Sequence, residues 1–145
     1  MFPALLAEYS PGAAVGELFA FNISAGGCDL LARGTVLENA VKTATANGTA
    51  RNLGAVGAAQ KLYAGMHVLA VSGTNPTLDM IIQSDDAEGF LSSANRITFA
   101  QKTAIGSQWA TPVAGAITDT WWRCAYTIGG TDNPSFTVVV VLAIQ

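Results

Sequence analysis

Charged residues are scarce in this sequence. Asp, Glu, Lys and Arg make up 12% of its 145 residues, which is roughly half of the share of about 25% in an ordinary soluble domain. Hydrophobic residues make up 50%, and the mean hydropathy is positive at +0.37. So few charges cannot cover a whole surface, and large exposed apolar patches promote association. The composition therefore predicts a protein that partners partly cover in an assembly, with a compact Ala- and Gly-rich monomer as the alternative.

Basic residues and histidine are also few in this sequence. The 7 Lys and Arg are scattered and the net charge is −3, so no basic cluster is present to neutralise phosphates, and we expect no nucleic-acid partner. The single histidine, His67, has no nucleophile elbow or Cys-His signature beside it, and His is the usual base at neutral pH. We therefore expect no catalytic residues and no enzyme, and we interpret His67 as a residue of a sheet face.

Sites for a metal, a cofactor or a membrane are not indicated either. Cys28 and Cys124 lie far apart with no Cys-x-x-Cys motif, so both are expected to be free thiols. The acidic stretch Ser84–Gly89 lacks the spacing of a calcium loop and is expected to be a solvated loop. No signal peptide is visible, and the longest apolar run, Val138–Ile144, is too short to span a bilayer. We expect a protein without cofactors that is not inserted into a membrane.

The most informative feature that is present is a duplication. The segments 71–83 and 128–140 each carry Gly-Thr followed by Asn-Pro between apolar, β-branched runs. Gly accepts positive φ, Asn closes local turns, and Pro is excluded from the middle of central strands. The two segments therefore predict two β-hairpins of one design, with turns at residues 73–76 and 130–134.

The pattern of the rest of the chain predicts short strands separated by turns. About eight strands with a turn every 8 to 12 residues or so, and no amphipathic helix, are typical of an all-β sandwich or jelly roll. We expect a single antiparallel jelly-roll domain over residues 31–145. Residues 1–30 are apolar but interrupted by Pro and Gly, and they predict an irregular arm with one strand at Glu17–Ile23. This arm either contacts a partner or covers an edge of the domain's own sheet.

Candidate interface residues are hydrophobic residues of the N-terminal arm and of strand faces that the chain alone would leave exposed to solvent. Residues 136–144 are apolar at successive positions, so both faces of that strand must be covered, by its own chain or by another. Trp122 shares a face with Cys124 and Tyr126 and is expected in the core, whereas Trp121 and Trp109 are either interface residues or a platform for a sugar ring. The candidate interface comprises Phe2, Leu5, Leu6, Phe19, Phe21, Trp121, Val139 and Val141.

The repeated segments also carry a resemblance. The pattern of residues 70–84, followed by 122–131 and 134–137, resembles small structural proteins of tailed phages, in particular the jelly-roll cement or decoration proteins of phage heads. The similarity covers about residues 35–144. Asp132 departs from it, because it adds one residue to the second turn relative to the first.

The resemblance implies a jelly roll that binds assembled major capsid protein on the capsid exterior and reinforces contacts between its subunits, after synthesis in the bacterial cytoplasm. It implies a symmetric oligomer. We favour a homodimer because two-fold contacts are the commonest closed symmetry, and a trimer stays open. The resemblance carries over no catalytic residue and no cofactor. The alternative function is a carbohydrate- or receptor-binding module of a tail appendage.

Overall fold

A computed structural model describes residues 33–145, together with the backbone of two short strands, Ala4–Glu8 (β1) and Ser24–Gly27 (β2). β1 and β2 pair antiparallel within a unit that spans Met1–Ala32, and Arg33–Gln145 forms a second compact unit. The segment Glu17–Ile23, predicted to be a strand, lies outside the described residues. Among the described residues, no helix is long and apolar enough to cross a membrane.

The second unit is all-β, as predicted. Its strands are β3 (Thr35–Lys42), β4 (Ala46–Asn47), β5 (Arg51–Asn52), β6 (Lys61–Asp85), β7 (Ala94–Thr98), β8 (Gly106–Trp109), β9 (Val113–Ala114) and β10 (Trp121–Ile144). They form one 8-stranded antiparallel sheet around two long central strands, β6 and β10. β3, β4 and β5 follow one another along the free side of β10. β7, β8 and β9 do the same along β6.

The prediction of two hairpins is wrong. Neither β6 nor β10 turns back on itself at its Gly-Thr-Asn-Pro segment; each continues, and the two strands pair with one another from Trp121 opposite Asp85 to Ile144 opposite Leu62. The predicted turns lie opposite each other as irregularities of the ladder, where Thr131 pairs with Thr74. Residues with positive φ form β-bulges as readily as hairpin turns, so the same residue chemistry bends both strands instead of reversing them.

The bend divides the sheet into two layers. The first layer contains β3, β8, β9, and the halves of β6 and β10 nearest Lys61 and Ile144; the second contains β4, β5, β7 and the other halves. Inward side chains of both layers, such as Met66, Met80, Trp122 and Val138, are fully buried in one hydrophobic cluster. In residues 33–145 no helix is available to cover them, so the sheet buries this face by folding over on itself, which gives the predicted sandwich.

The duplication seen in the sequence is a duplication of structure. Residues 76–85 of β6 and 134–143 of β10 have the same succession of buried and partly exposed positions. In each repeat an outer strand set precedes the long strand, and it pairs with the long strand of the other repeat. Each half therefore completes the sheet of the other, and the repeats are related by an approximate two-fold arrangement about the bend.

Contacts at the bend are reciprocal in the same way. Gly73 has φ of 99°, and a Cβ on it would lie 2.7 Å from Cα of Pro134. Gly130 has φ of 116°, and a Cβ on it would lie 2.9 Å from Cα of Pro76. Each glycine thus makes room for the proline of the other repeat. The bend is a single packed unit built from both motifs.

Candidate interaction surface

Alternation along the strands of the first layer sends one set of side chains inward and the other outward. Because directly opposed residues of an antiparallel pair point to the same side, the pairing registers define the outward rows. One row runs from Val36 through Val141 and Gly65 to Trp109. The next row runs from Asn39 through Val139 and His67 to Ser107.

A third row places Val41 beside Thr137 and Ala70. We call the outward surface of these three rows the apolar face; its large side chains are Val36, Val41, Trp109, Val139 and Val141. Across these rows no Asp, Glu, Lys or Arg points outward, since Glu38 and Lys42 of β3 lie on the inward side. Its only ionisable side chain is that of His67, which takes the place on a sheet face that the sequence predicted.

Solvent reaches much of this face. Val36 is 44% exposed, Val41 59% and Trp109 46%, values far above those of ordinary core residues. Of the six large hydrophobic side chains that are exposed among the described residues, five lie on the first layer or next to it in the chain: Val36, Val41, Leu69, Ile105 and Trp109. Exposed apolar residues gathered in one place indicate a contact surface, whereas single scattered ones do not.

Trp109 lies flat on this face because the residue under it has no side chain. A Cβ added to Gly65 would meet the Trp109 ring at 3.1 Å. The indole therefore covers the backbone of β6 at Gly65, and beyond Gly65 the row continues to Val141 and Val36. Sugar platforms combine an aromatic ring with convergent polar groups, and this row supplies none.

The outward surface of the second layer mixes hydrogen-bonded polar side chains with the partly exposed Ile81 and Trp121. The amide nitrogen of Gln83 donates to Oδ1 of Asn95 at 2.9 Å, Nε of Arg123 donates to Oε1 of Gln83 at 3.0 Å, and Nε2 of Gln101 donates to the Asp79 carboxylate at 3.1 Å. Asp79 thus faces outward. These hydrogen-bonded side chains give part of the second surface the character of a solvated sheet face.

Comparison of the repeats shows that the apolar face is not required by the fold. The outward positions Asp79, Ile81 and Gln83 of the first repeat correspond to Thr137, Val139 and Val141 of the second, so among them only Gln83 is polar where the other repeat is apolar; the inward positions are apolar in both, from Leu78 to Ile82 and from Phe136 to Val140. Packing requirements explain the shared inner side. They do not require the valine at position 141 on the outer side.

The predicted interface residues divide into three groups. Val139 and Val141 lie side by side with partial exposure in the apolar face. Trp121 is also partly exposed, but it lies on the outward side of the second layer, opposite Asp85 and Asn52. Phe2, Phe19 and Phe21 lie outside the described residues, and for Leu5 and Leu6 only the backbone, in β1, is described.

Sequence reasoning missed Val36, Val41 and the position of Trp109 on this face. Their signal is weak, because the alternation in residues 35–42 is interrupted by a bulge between the partners of Val140 and Val141. Only the register with β10 shows that Val36 and Val141 are neighbours.

The far end of the sandwich is closed by a polar network. The Asp119 carboxylate accepts hydrogen bonds from Oγ of Ser84 at 2.6 Å and from Nη2 of Arg96 at 2.8 Å. These two donors stabilise the ionised carboxylate and lower the pKa of Asp119. These hydrogen bonds connect β6, β7 and the segment before β10, so the role of the network is structural.

The acidic stretch Ser84–Gly89 was expected to be a solvated loop, and this is wrong for its first two residues. Ser84 is fully buried and Asp85 is 2% exposed, because β6 continues through both. The Asp85 carboxylate accepts hydrogen bonds from the backbone N–H groups of Ala87 and Ser92. It therefore fastens the loop that follows β6, as Asp side chains do in turns.

The remaining candidates for chemistry are structural as well. Cys124 is a free, buried thiol, and burial raises its pKa; Cys28 lies outside the described residues. Within the described part of the chain, no group of three or more His, Cys, Asp or Glu side chains is arranged to hold a metal ion. A shallow depression of about 210 Å³ lies at the polar layer, lined by Thr45, Ala46, Asn47, Asp79, Ile81, Ala125, Tyr126 and Thr127.

That depression is smaller than ordinary ligand sites of about 300–1,000 Å³. The apolar face is therefore the candidate site that the geometry supports best. No family model, curated protein or solved structure matches the chain.

Proposed function

We propose that this chain is a virion structural protein that binds the outside of an assembled tailed-phage capsid and stabilises contacts between major capsid protein subunits. The observation that carries the proposal is the apolar face, an uncharged outward sheet surface centred on Val139 and Val141 and bordered by Val36, Val41 and Trp109. Such a surface suits burial against another protein rather than contact with water.

The size of the face suits attachment to a repeating shell. Four strands about 4.8 Å apart and five residues of about 3.4 Å each give an area of about 300 Å². At about 25 cal/mol per Å² of apolar area, burying it contributes at most about 7 kcal/mol before the cost of association is subtracted, because Asn39, His67, Ser107 and Thr137 make part of the area polar. One copy would therefore bind weakly, and a shell that presents many equivalent sites to linked copies raises retention through multivalency.

The second candidate function is a carbohydrate-binding module with Trp109 as its platform, which the exposure of that ring favours. The row that continues from Trp109 through Gly65 to Val141 and Val36, without a polar side chain, favours the protein partner instead. A glycan array separates the two. A saccharide signal that disappears in Trp109→Ala supports the binding module, and a signal that survives that change removes Trp109 from consideration.

A pair of matched variants tests the capsid proposal. Val141→Lys places a charge in the apolar face, and Gln83→Lys places the same charge at the equivalent position of the other repeat, on the polar face. Heads of the phage that carries this protein, stripped of it, are mixed with each variant and sedimented. We expect wild type and Gln83→Lys to sediment with the heads and Val141→Lys to stay in the supernatant, while circular dichroism shows all three folded at the temperature of the assay.

Two results would overturn the proposal. One is wild-type protein that does not sediment with heads. The other is heads that resist heat and osmotic shock equally well with and without it.

A further inference from the structure

His67 lies in the middle of the apolar face. Its neighbour on β10 is Val139 and its neighbour on β8 is Ser107, and beyond Val139 the row ends at Asn39 of β3. The other two rows of the face flank this one. Because His67 is partly exposed, a molecule that covers the apolar face covers this imidazole as well.

The outward positions of the described strands around His67 are uncharged. In residues 33–145 these positions are Asn39 of β3, Thr137, Val139 and Val141 of β10, and Ser107 and Trp109 of β8. On β6 itself Tyr63 and Gly65 precede His67 on the outward side and Ala70 follows it, and a phenol is uncharged between about pH 5 and 8. Histidine is the side chain whose charge ordinarily changes in that range. His67 alone therefore determines whether the apolar face carries a charge.

The fold does not require an imidazole at this position. The pair of His67 with Val139 corresponds, in the other repeat, to the pair of Ala125 with Ile81 on the outward side of the second layer. Ala125 shows that the ladder forms with a small uncharged side chain there. Substitutions at residue 67 therefore test the surface rather than the packing of the core, and Ala125 is the matched position for a control.

Burial of the apolar face against another protein penalises the charged form of the imidazole. Water solvates an exposed imidazolium, but beneath a partner the charge loses that hydration, and the side chains around His67 supply no opposite charge in its place. The covered face therefore accepts the neutral imidazole and excludes the protonated one. Since the proton must leave before the face is covered, binding is strongest above the pH range in which the imidazole titrates and weakens as the pH falls through it.

We propose that His67 makes binding through the apolar face pH-dependent, so that the face is bound while the imidazole is neutral and released when it is protonated. The partner surface that fits is uncharged and presents no carboxylate to His67, in keeping with the uncharged side chains around it. This inference rests on the proposed function, because the partner is taken to be the capsid protein.

Sedimentation of the full chain with increasing concentrations of stripped heads tests this dependence. For an imidazole that titrates near pH 6.5, exclusion of the charged form weakens binding by about tenfold between about pH 7.5 and about pH 5.5. We expect wild type to need about tenfold more heads at the lower pH for half of it to sediment, and His67→Gln, which is uncharged at both pH values, to need the same amount at both. Ala125→His adds an imidazole to the second layer and should keep the pH dependence of wild type. Circular dichroism at both pH values checks that each chain is folded.

His67→Lys carries a charge at both pH values, and we expect it to stay in the supernatant throughout. Three results would overturn the proposal: a pH dependence of His67→Gln equal to that of wild type, tighter binding of wild type at the lower pH, which a partner carboxylate facing the imidazole would produce, and sedimentation of His67→Lys with the heads. Each of these results leaves the binding of wild type at the higher pH intact. Wild type that does not sediment with heads at the higher pH overturns the proposed function itself.

Discussion

Replacing Gly73 by Ala tests whether the bend is the packed unit described above. Gly73 has φ of 99°, and its added Cβ would lie 2.7 Å from Cα of Pro134 and 3.0 Å from the carbonyl oxygen of Thr131. The positive φ alone costs an L-residue about 1–2 kcal/mol. The contacts are to backbone atoms, which cannot rotate away, and overpacking of this kind costs about 1–3 kcal/mol more.

The sum, about 2–5 kcal/mol, is a large part of a typical domain stability of about 5–15 kcal/mol. At about 4 °C for each kcal/mol, the unfolding temperature should fall by about 8–20 °C. Thermal unfolding followed by circular dichroism measures this fall. Gly130→Ala should cost a similar amount, because Gly130 packs against Pro76 in the equivalent way.

Gly54→Ala is the matched control for the contact. Gly54 also has a positive φ, of 85°, but nothing lies within 4 Å of a Cβ at that position. This variant should lose only the conformational part, about 1–2 kcal/mol. Equal destabilisation by Gly54→Ala and Gly73→Ala would refute the reasoning, because the reciprocal glycine–proline packing would then contribute nothing.

Three further experiments, two of them on substituted chains, test the core and the closed end of the sandwich. Trp122→Phe removes the hydrogen bond from Nε1 to the carbonyl oxygen of Gly54 at 2.9 Å, and leaving that acceptor without a donor should lower the free energy of unfolding by about 1–3 kcal/mol in a denaturant titration. Cys124 should resist alkylation in the native chain and react fully in denaturant when mass spectrometry follows the label, since it is buried and its pKa is raised. Asp119 has its pKa lowered from 3.8, so its contribution to stability is present above that pH and is lost as the pH falls through the folded value; Asp119→Asn should be less stable than wild type at neutral pH, and the difference should shrink in acid.

Composition and alternation were enough to predict the fold class. The absence of amphipathic helical periodicity and the short β-branched runs gave an all-β sandwich, and Trp122 and Cys124 were correctly predicted in the core. Both follow from local properties of the chain, because a strand's inward side is visible in its alternation.

The path of the chain was not predictable in the same way. Gly-Thr-Asn-Pro specifies residues with positive φ at a bend, but whether the strand then reverses or continues depends on which strand lies opposite. Here each motif lies opposite the other, across residues 73–76 and 130–134. That pairing joins parts of the chain far apart in sequence, and no local pattern contains it. The apolar face could not be predicted for the same reason. Val36 is a neighbour of Val141, and Trp109 of Gly65, only because the strands that carry them pair in this register.

Comparing the two repeats distinguishes the residues that the fold requires from those that it leaves free to vary. Two repeats with one backbone plan must solve the same packing problem, and they do so with similar inward residues, Met80 and Ile82 in one and Val138 and Val140 in the other. No such requirement acts on the outward side, where a soluble sheet face is ordinarily polar. The first layer carries Val139 and Val141 there; the second carries Ile81 in place of Val139 but the hydrogen-bonded Gln83 in place of Val141. Because Gln83 shows that the fold accepts a polar side chain at the position of Val141, packing alone does not require the valine there, and the proposed contact with another protein accounts for it.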